Sequence, residues 1–358
     1  MRNNRVISHP GEYLLDAINS LGMTQNEFAI RVGILAKTIN TLVNGTSNIT
    51  FDIAYKLSSF FGNSVELWMN LQTRYNVYLL ELEKEKDLDE EWEIVKLFDK
   101  SFLKSECKIN VNKNQKEEVI TKMKECFMVS SLKNLKVVDM FAFCRTSTTK
   151  ELNEKQIVLR NAWISYAMNL SKKIECNEFD SKVLMENLPK IRALTLLDPE
   201  EFTLKLHKYL NEAGIKLIEI PYLKGSNVSG VTKWLPHENA VLIAINDCGK
   251  DADKIWFNIF HELGHAIKNH RRHLTISFTK NEVADQDEID ANNFAKNMLI
   301  DPKKYEIFIS KKDYSINAIN NFADEIGVAN FIVIGRLQRD KLIPWSYYSS
   351  YKIKYFIE

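Results

Sequence analysis

Residues Asp253 to His270 read DKIWFNIFHELGHAIKNH and contain the motif His261-Glu262-Leu263-Gly264-His265. On a helix, residues four apart lie one turn apart on the same face. His261 and His265 can therefore direct two ring nitrogens at one metal ion. Glu262 is placed to act as the base that takes a proton from the attacking water. Two nitrogen ligands with a neighbouring carboxylate are the arrangement of a zinc hydrolase.

The apolar residues of this stretch predict that the motif helix is buried. They form one broad surface at helical spacing, and they are Ile255, Trp256, Ile259, Phe260, Leu263 and Ile267. The alternative is that two histidines and a glutamate share a helix face by accident. A buried helix, however, requires partners for such polar side chains, and this requirement favours a metal site.

A catalytic zinc usually takes three protein ligands and leaves one position for water. The segment 285–295 reads DQDEIDANNFA, and Glu288 shares a helical face with Ala291 and Ala295. Small residues on that face allow this helix to approach the motif helix closely. We therefore expect Glu288 to be the third ligand, with Asp290 as the alternative. The other interpretation of these acidic residues is a helix N-terminus favoured by the helix macrodipole.

Together, HELGH and the later E-x-x-A-N-x-F-A at Glu288–Ala295 resemble the ImmA/IrrE family of zinc metallopeptidases. The apolar run Ala240–Asn246 corresponds to the strand that precedes the HExxH helix in that family. The resemblance covers roughly residues 188–344 and implies that zinc is bound by the two motif histidines and Glu288. It also implies an endopeptidase with Glu262 as its catalytic base. We expect Asn292 to orient a zinc ligand through a hydrogen bond.

Residues 1–75 predict a five-helix domain of the helix-turn-helix type. Helical spacing begins at Pro10, and Thr24 and Thr50 are placed to cap the second and fourth helices. Ala36 to Asn44 forms the third helix, which follows a glycine turn. Its outward side chains are expected to contact DNA, and they are Lys37, Thr38, Asn40 and Thr41. The alternative is a solvated face, because six basic and five acidic residues give only a weak electrostatic footprint.

Four short motifs in this region resemble HigA-type antitoxins of the XRE helix-turn-helix class. They are His9-Pro10-Gly11-Glu12, Gly22-Met23-Thr24-Gln25, Val43-Asn44-Gly45 and Leu67-Trp68-Met69-Asn70-Leu71-Gln72. The resemblance implies that the third helix enters the major groove of a palindromic operator as part of a homodimer. Leu35 departs from the pattern, because a serine or threonine commonly caps the recognition helix there.

The composition fits a globular protein of two or three domains. The chain has 358 residues, a formal net charge of +1 and 45% hydrophobic residues. We expect neither a membrane-spanning segment nor a signal peptide. The five cysteines are scattered without a C-x-x-C pair, which predicts reduced thiols and a cytoplasmic location.

The expected fold class is α+β and predominantly helical. We predict a helix-turn-helix domain at 1–75, a helical connector at 76–187 and a zincin-like domain at 188–310, with a small sheet packed on the HExxH helix. A helical pair and tail at 311–358 is expected to pack on the peptidase domain.

The sequence thus predicts a regulator of toxin–antitoxin, stress or phage-response type. It would bind operator DNA and cleave a specific protein partner, a repressor or a toxin, with narrow specificity or only under inducing conditions. The alternative is a non-enzymatic HigA-like antitoxin or repressor, in which the zinc-binding fold is a stability module or ligand sensor.

Overall fold

The computed structural model describes residues 7–138, 140, 144–146, 153–268, 274–278 and 286–355. These residues are predominantly helical with one small sheet, which confirms the predicted α+β class. The chain divides into two compact units, Met1–Glu90 and Glu91–Glu358. Asn269 and His270, at the end of the motif stretch, lie outside the described residues. Among the described helices, none is long and apolar enough to cross a membrane.

Five helices build the first unit, as the sequence predicts. They are α1 Pro10–Ser20, α2 Gln25–Val32, α3 Ala36–Val43, α4 Phe51–Phe61 and α5 Val65–Val95, whose last residues belong to the second unit. The predicted caps are present: Thr24 Oγ1 accepts the Glu27 N–H at 3.2 Å, and Thr50 Oγ1 accepts the Ile53 N–H at 3.4 Å. Between α2 and α3 the chain turns at Gly33, whose φ of 68° favours glycine.

The second unit begins with five helices and contains a buried carboxylate at the end of α5. The helices are α6 Lys100–Ser105, α7 Lys116–Phe127, α8 Glu154–Ser171, α9 Ser181–Ala193 and α10 Pro199–Glu212. Glu91 is buried and accepts hydrogen bonds from Ser131 Oγ at 2.6 Å and from the Leu132 N–H at 2.8 Å. Its other oxygen lies 2.7 Å from Lys124 Nζ. The carboxylate thus ties the end of α5 to the segment after α7.

Cys107 and Cys126 form a disulfide bond, so the prediction that all thiols are reduced is wrong for this pair. The two residues are 19 positions apart in the sequence. Tertiary packing brings the segment after α6 next to α7, and spacing along the chain does not reveal such a contact. Cys176 and Cys248 are free thiols.

A five-stranded sheet lies at the centre of the second unit. Its strands are β1 Cys144–Thr146, β2 Ile215–Glu219, β3 Val228–Leu235, β4 Ala240–Ile245 and β5 Leu274–Phe278, in the order β1-β5-β3-β4-β2. β3 is antiparallel to both neighbours, whereas β2 and β4 are parallel, as are β1 and β5. The sequence runs Ile215–Ile220, Val228–Leu235 and Ala240–Asn246 predict β2, β3 and β4. Sequence analysis misses β5 and also β1, which lies in the region interpreted as wholly helical.

The motif helix α11, Ala252–Lys268, packs on this sheet and against α12, Gln286–Leu299. A Cβ added to Gly264 would lie 3.2 Å from Ala291 Cα and 3.1 Å from Phe294 Cδ1. The two helices therefore approach as closely as the small residues on the Glu288 face suggest. Three further helices complete the unit: α13 Pro302–Ser310, α14 Ile316–Ile326 and α15 Asn330–Arg339.

Candidate metal centre and nucleic-acid interface

Three buried side chains from α11 and α12 converge on one point. His261 Nε2 lies 3.1 Å from His265 Nε2 and 3.4 Å from Glu288 Oε2. His265 Nε2 lies 3.1 Å from Glu288 Oε1. In a tetrahedral zinc site with bonds of about 2.0–2.1 Å, neighbouring ligand atoms lie about 3.3–3.4 Å apart. The separations of the donor atoms therefore match those of zinc ligands within a few tenths of an ångström.

The electrostatics of this cluster favour a positive charge between the three side chains. Burial raises the pKa of Glu288, but hydrogen bonds and charge from the two histidines outweigh burial and bring the pKa to about 2. Burial lowers the pKa of His265, yet the hydrogen bond with Glu288 and the charge of Glu262 raise it above its ordinary value. Two imidazoles and an ionised carboxylate are all good zinc ligands, so the residues present fit a zinc ion.

Glu262 lies beside the cluster with its carboxylate held from the sheet. It is 1% exposed, and its Oε2 accepts a hydrogen bond from Thr232 Oγ1 at 2.6 Å. Gly230 lies against the same carboxylate, because a Cβ at this position would overlap Glu262 Oε1. Neither Gly230 nor Thr232 was predicted from the sequence. The available signal is the pattern Gly-x-Thr in a strand that packs on the motif helix, since Gly230 and Thr232 share one face of β3.

Asp290, the alternative third ligand, is not among the side chains that converge. Asp290 forms an ion pair with Lys268 and accepts a hydrogen bond from Gln286 Nε2 at 2.8 Å. Within the described part of the chain, Asn292 makes no hydrogen bond to either histidine or to Glu288. The buried Nδ1 of His261 likewise has no hydrogen-bond partner among the described residues. The predicted role of Asn292 therefore stays a prediction.

The outer face of α3 combines exposed and partly buried polar residues. Lys37 and Asn40 are exposed, whereas Thr38 and Thr41 are half-buried. The Thr41 hydroxyl donates to the Thr38 carbonyl at 2.9 Å and accepts from Ser47 Oγ at 3.0 Å. Thr41 thus supports the helix and the turn after it, whereas Asn40 Oδ1 accepts a hydrogen bond from Asn44 Nδ2 at 3.0 Å on the exposed side.

Leu35 precedes α3 at the N-cap position. It is 77% exposed and makes no side-chain hydrogen bond to the helix. This agrees with the departure noted in the sequence, because leucine cannot accept the free N–H groups of the first turn.

Comparisons with known proteins match a segment of each unit. Residues 14–68 match the helix-turn-helix family model, and residues 210–338 match the model of the IrrE N-terminal-like domain. Virulence-associated protein I of Dichelobacter nodosus is 29% identical over 24% of this chain and 79% of its own length. The uncharacterized HTH-type transcriptional regulator YddM of Escherichia coli (strain K12) is 33% identical over 22% of this chain and 82% of its own length.

Among solved structures, an addiction module antidote protein of a HigA family from Coxiella burnetii is 31% identical. The match covers 24% of this chain and 95% of that one, with a TM-score of 0.23. Through residues 14–68 the chain belongs to the HTH-type transcriptional regulators, and residues 210–338 form an IrrE N-terminal-like domain of the Peptidase_M78 family.

Proposed function

We propose that this regulator is a zinc-dependent endopeptidase that cleaves one specific protein partner. The observation that carries the proposal is the convergence of His261, His265 and Glu288, with Glu262 next to them on the motif helix. The three side chains would bind zinc, which when bound polarises a peptide carbonyl and lowers the pKa of water.

The catalytic work of the protein is assigned to Glu262. Its carboxylate would accept the proton of the attacking water and pass it to the leaving amine. Thr232, which donates to Glu262 Oε2, holds the carboxylate in one orientation. Glu288 and the two histidines would keep the ion at a fixed position relative to this base. Geometry of this kind supplies the proximity and orientation that catalysis requires.

The surroundings of Glu262 support conditional activity. The carboxylate is almost wholly buried, engaged by Thr232 and packed against Gly230. A base with one oxygen occupied is less available to a water molecule than a free carboxylate. The same observation favours the second candidate function, a non-enzymatic antitoxin or repressor whose zinc-binding fold is a stability module or ligand sensor.

Glu262→Gln separates the two functions without knowledge of the substrate. Glutamine preserves the size of the side chain and can still accept from Thr232, but it cannot act as a base. We expect zinc content and folding to persist, and cleavage to fall by roughly 10²–10⁴-fold. An endopeptidase would lose its regulatory output in a reporter strain. The exposed Glu186→Gln is the matched control for this substitution.

One result of this experiment would contradict proteolysis as the function. If Glu262→Gln represses the reporter and neutralises any toxin as well as the wild type, including under inducing stress, the non-enzymatic function stands. Loss of zinc or of folding in the variant would instead show that Glu262 has a structural role.

We further propose that the first unit reads a palindromic operator as part of a homodimer, through Lys37, Asn40 and, less directly, Thr38 and Thr41. Selection from random DNA should enrich one palindrome. Each good base contact that is lost should cost about 1–3 kcal/mol of discrimination, so Lys37→Ala and Asn40→Ala should relax the selected sequence. Lys56→Ala, on α4, is the control. Enrichment of no sequence would contradict a DNA-reading role.

A further inference from the structure

A pocket lies between the two helices that carry the metal-binding side chains and the C-terminal helix α15. It is an open groove whose lining is partly apolar and partly charged. Its apolar wall consists of Phe257 from α11, Leu299 from α12, Ile300 directly after α12, and Ile332 from α15. These residues could contact the apolar part of a ligand.

The charged residues of the pocket are mostly cationic. Lys296, Arg336 and Arg339 line it, against the single carboxylate of Asp253. That carboxylate already faces a cation outside the pocket, because Asp253 Oδ1 lies 3.4 Å from Lys352 Nζ. Within the described part of the chain, neither Lys296 nor Arg339 has a carboxylate at ion-pairing distance.

Both arginines are held in place by aromatic rings. The Arg339 guanidinium lies 4.1 Å from the centre of the Phe257 ring, and that of Arg336 lies 4.5 Å from the centre of the Tyr305 ring. Arg336 Nε donates to Asp340 at 2.6 Å. Its terminal NH₂ groups have no hydrogen-bond partner among the described residues. A fixed guanidinium with free N–H groups matches a carboxylate or phosphate, because both accept paired hydrogen bonds.

We propose that this pocket binds a small amphipathic anion. The carboxylate or phosphate of the ligand would contact Arg336, Arg339 and Lys296, and its apolar body would lie on the wall formed with Phe257 and Ile332. The site is separate from the metal-binding side chains but touches both of their helices. Phe257 is one turn before His261, with ring centres 6.2 Å apart. A bound anion would therefore contact α11, α12 and α15 and stabilise their packing against one another.

Calorimetric titration of the full-length, zinc-loaded protein tests the proposal with four probes: phenyl phosphate, benzoate, inorganic phosphate and benzyl alcohol. Phenyl phosphate, benzoate or both should bind, and the preference identifies the anionic group. Inorganic phosphate and benzyl alcohol should bind more weakly, because each lacks one half of the proposed ligand.

Arg339→Gln should weaken binding roughly tenfold or more, as expected for loss of a hydrogen bond between charged groups. Lys296→Gln provides a second variant on another helix, and Arg192→Gln, outside the pocket, is the matched control. Circular dichroism shows whether each variant is folded. The proposal is overturned if no probe binds, if benzyl alcohol binds as tightly as the anions, or if Arg339→Gln and Arg192→Gln have the same effect. Binding that survives both pocket substitutions would place the anion elsewhere, at the zinc for example, and would also overturn it.

Discussion

Replacing Glu288 by alanine tests the metal centre most directly. Glu288 is the one carboxylate among the three buried donors, and its two oxygens face the two histidines at 3.1 and 3.4 Å. Alanine leaves His261 and His265 in place but opens one side of the site. We expect the variant to fold, because α12 keeps its small residues against α11, and to bind zinc much more weakly.

The magnitude follows from the number of ligands. Complete four-ligand zinc sites contribute about 10–16 kcal/mol of binding free energy, or about 2.5–4 kcal/mol for each ligand. Because each 1.4 kcal/mol corresponds to a factor of ten, loss of Glu288 should lower zinc affinity by roughly a hundredfold to a thousandfold. Competition with a chromophoric chelator measures this change, and elemental analysis gives the zinc content of the purified variants.

Asp290→Ala is the matched control, since Asp290 lies two residues further on the same helix and pairs with Lys268 instead of the histidines. It should retain about one zinc per chain with unchanged affinity. Full zinc retention in Glu288→Ala, together with loss in Asp290→Ala, would refute the assignment. Wild-type affinity in both variants would show that neither residue is a ligand.

Two other substitutions test contacts seen in the structure. Gly230→Ala places a methyl group against Glu262 Oε1. We expect the variant to retain zinc and its cleavage rate on a partner to fall by about a hundredfold, because a misplacement of about 1 Å can slow a reaction that much. An unchanged cleavage rate would mean that the carboxylate moves freely. Leu35→Ser supplies the missing cap of α3 and should stabilise the first unit by about 0.5–1 kcal/mol in urea unfolding. Ile30→Ser is the control for loss of exposed apolar surface. An unchanged or lower urea midpoint in Leu35→Ser would show that the N-cap does not limit stability.

Local periodicity is sufficient to predict the parts of the candidate site that lie on one helix. The spacing of His261 and His265 places both rings on one face, and the small residues near Glu288 indicate which face of α12 meets α11. Close approach at Gly264 agrees with that indication. These features depend on helix geometry, which can be deduced from the spacing of residues a few positions apart.

Contacts between distant segments are harder to predict. Thr232 and Glu262 are 30 residues apart, and their hydrogen bond depends on how β3 lies across α11. β1 has three residues, too few for an alternating pattern. The five residues of β5, Leu-Thr-Ile-Ser-Phe, do alternate between apolar and polar, and this signal was overlooked. The disulfide between Cys107 and Cys126 has the same origin as the hydrogen bond between Thr232 and Glu262. Both depend on tertiary packing.

The position of the three donor side chains is itself an argument for function. α11 and α12 are held together by a large apolar core that includes Trp256, Phe260 and Ala295, so the fold does not need polar groups at this interface. Burial of two imidazoles and a carboxylate costs free energy unless each group is paired. An apolar set of similar volume would pack at least as stably. Positions where the side chains are not the most stabilising ones concentrate at functional sites. The buried cluster of two histidines and a glutamate, whose geometry matches zinc, is such a position.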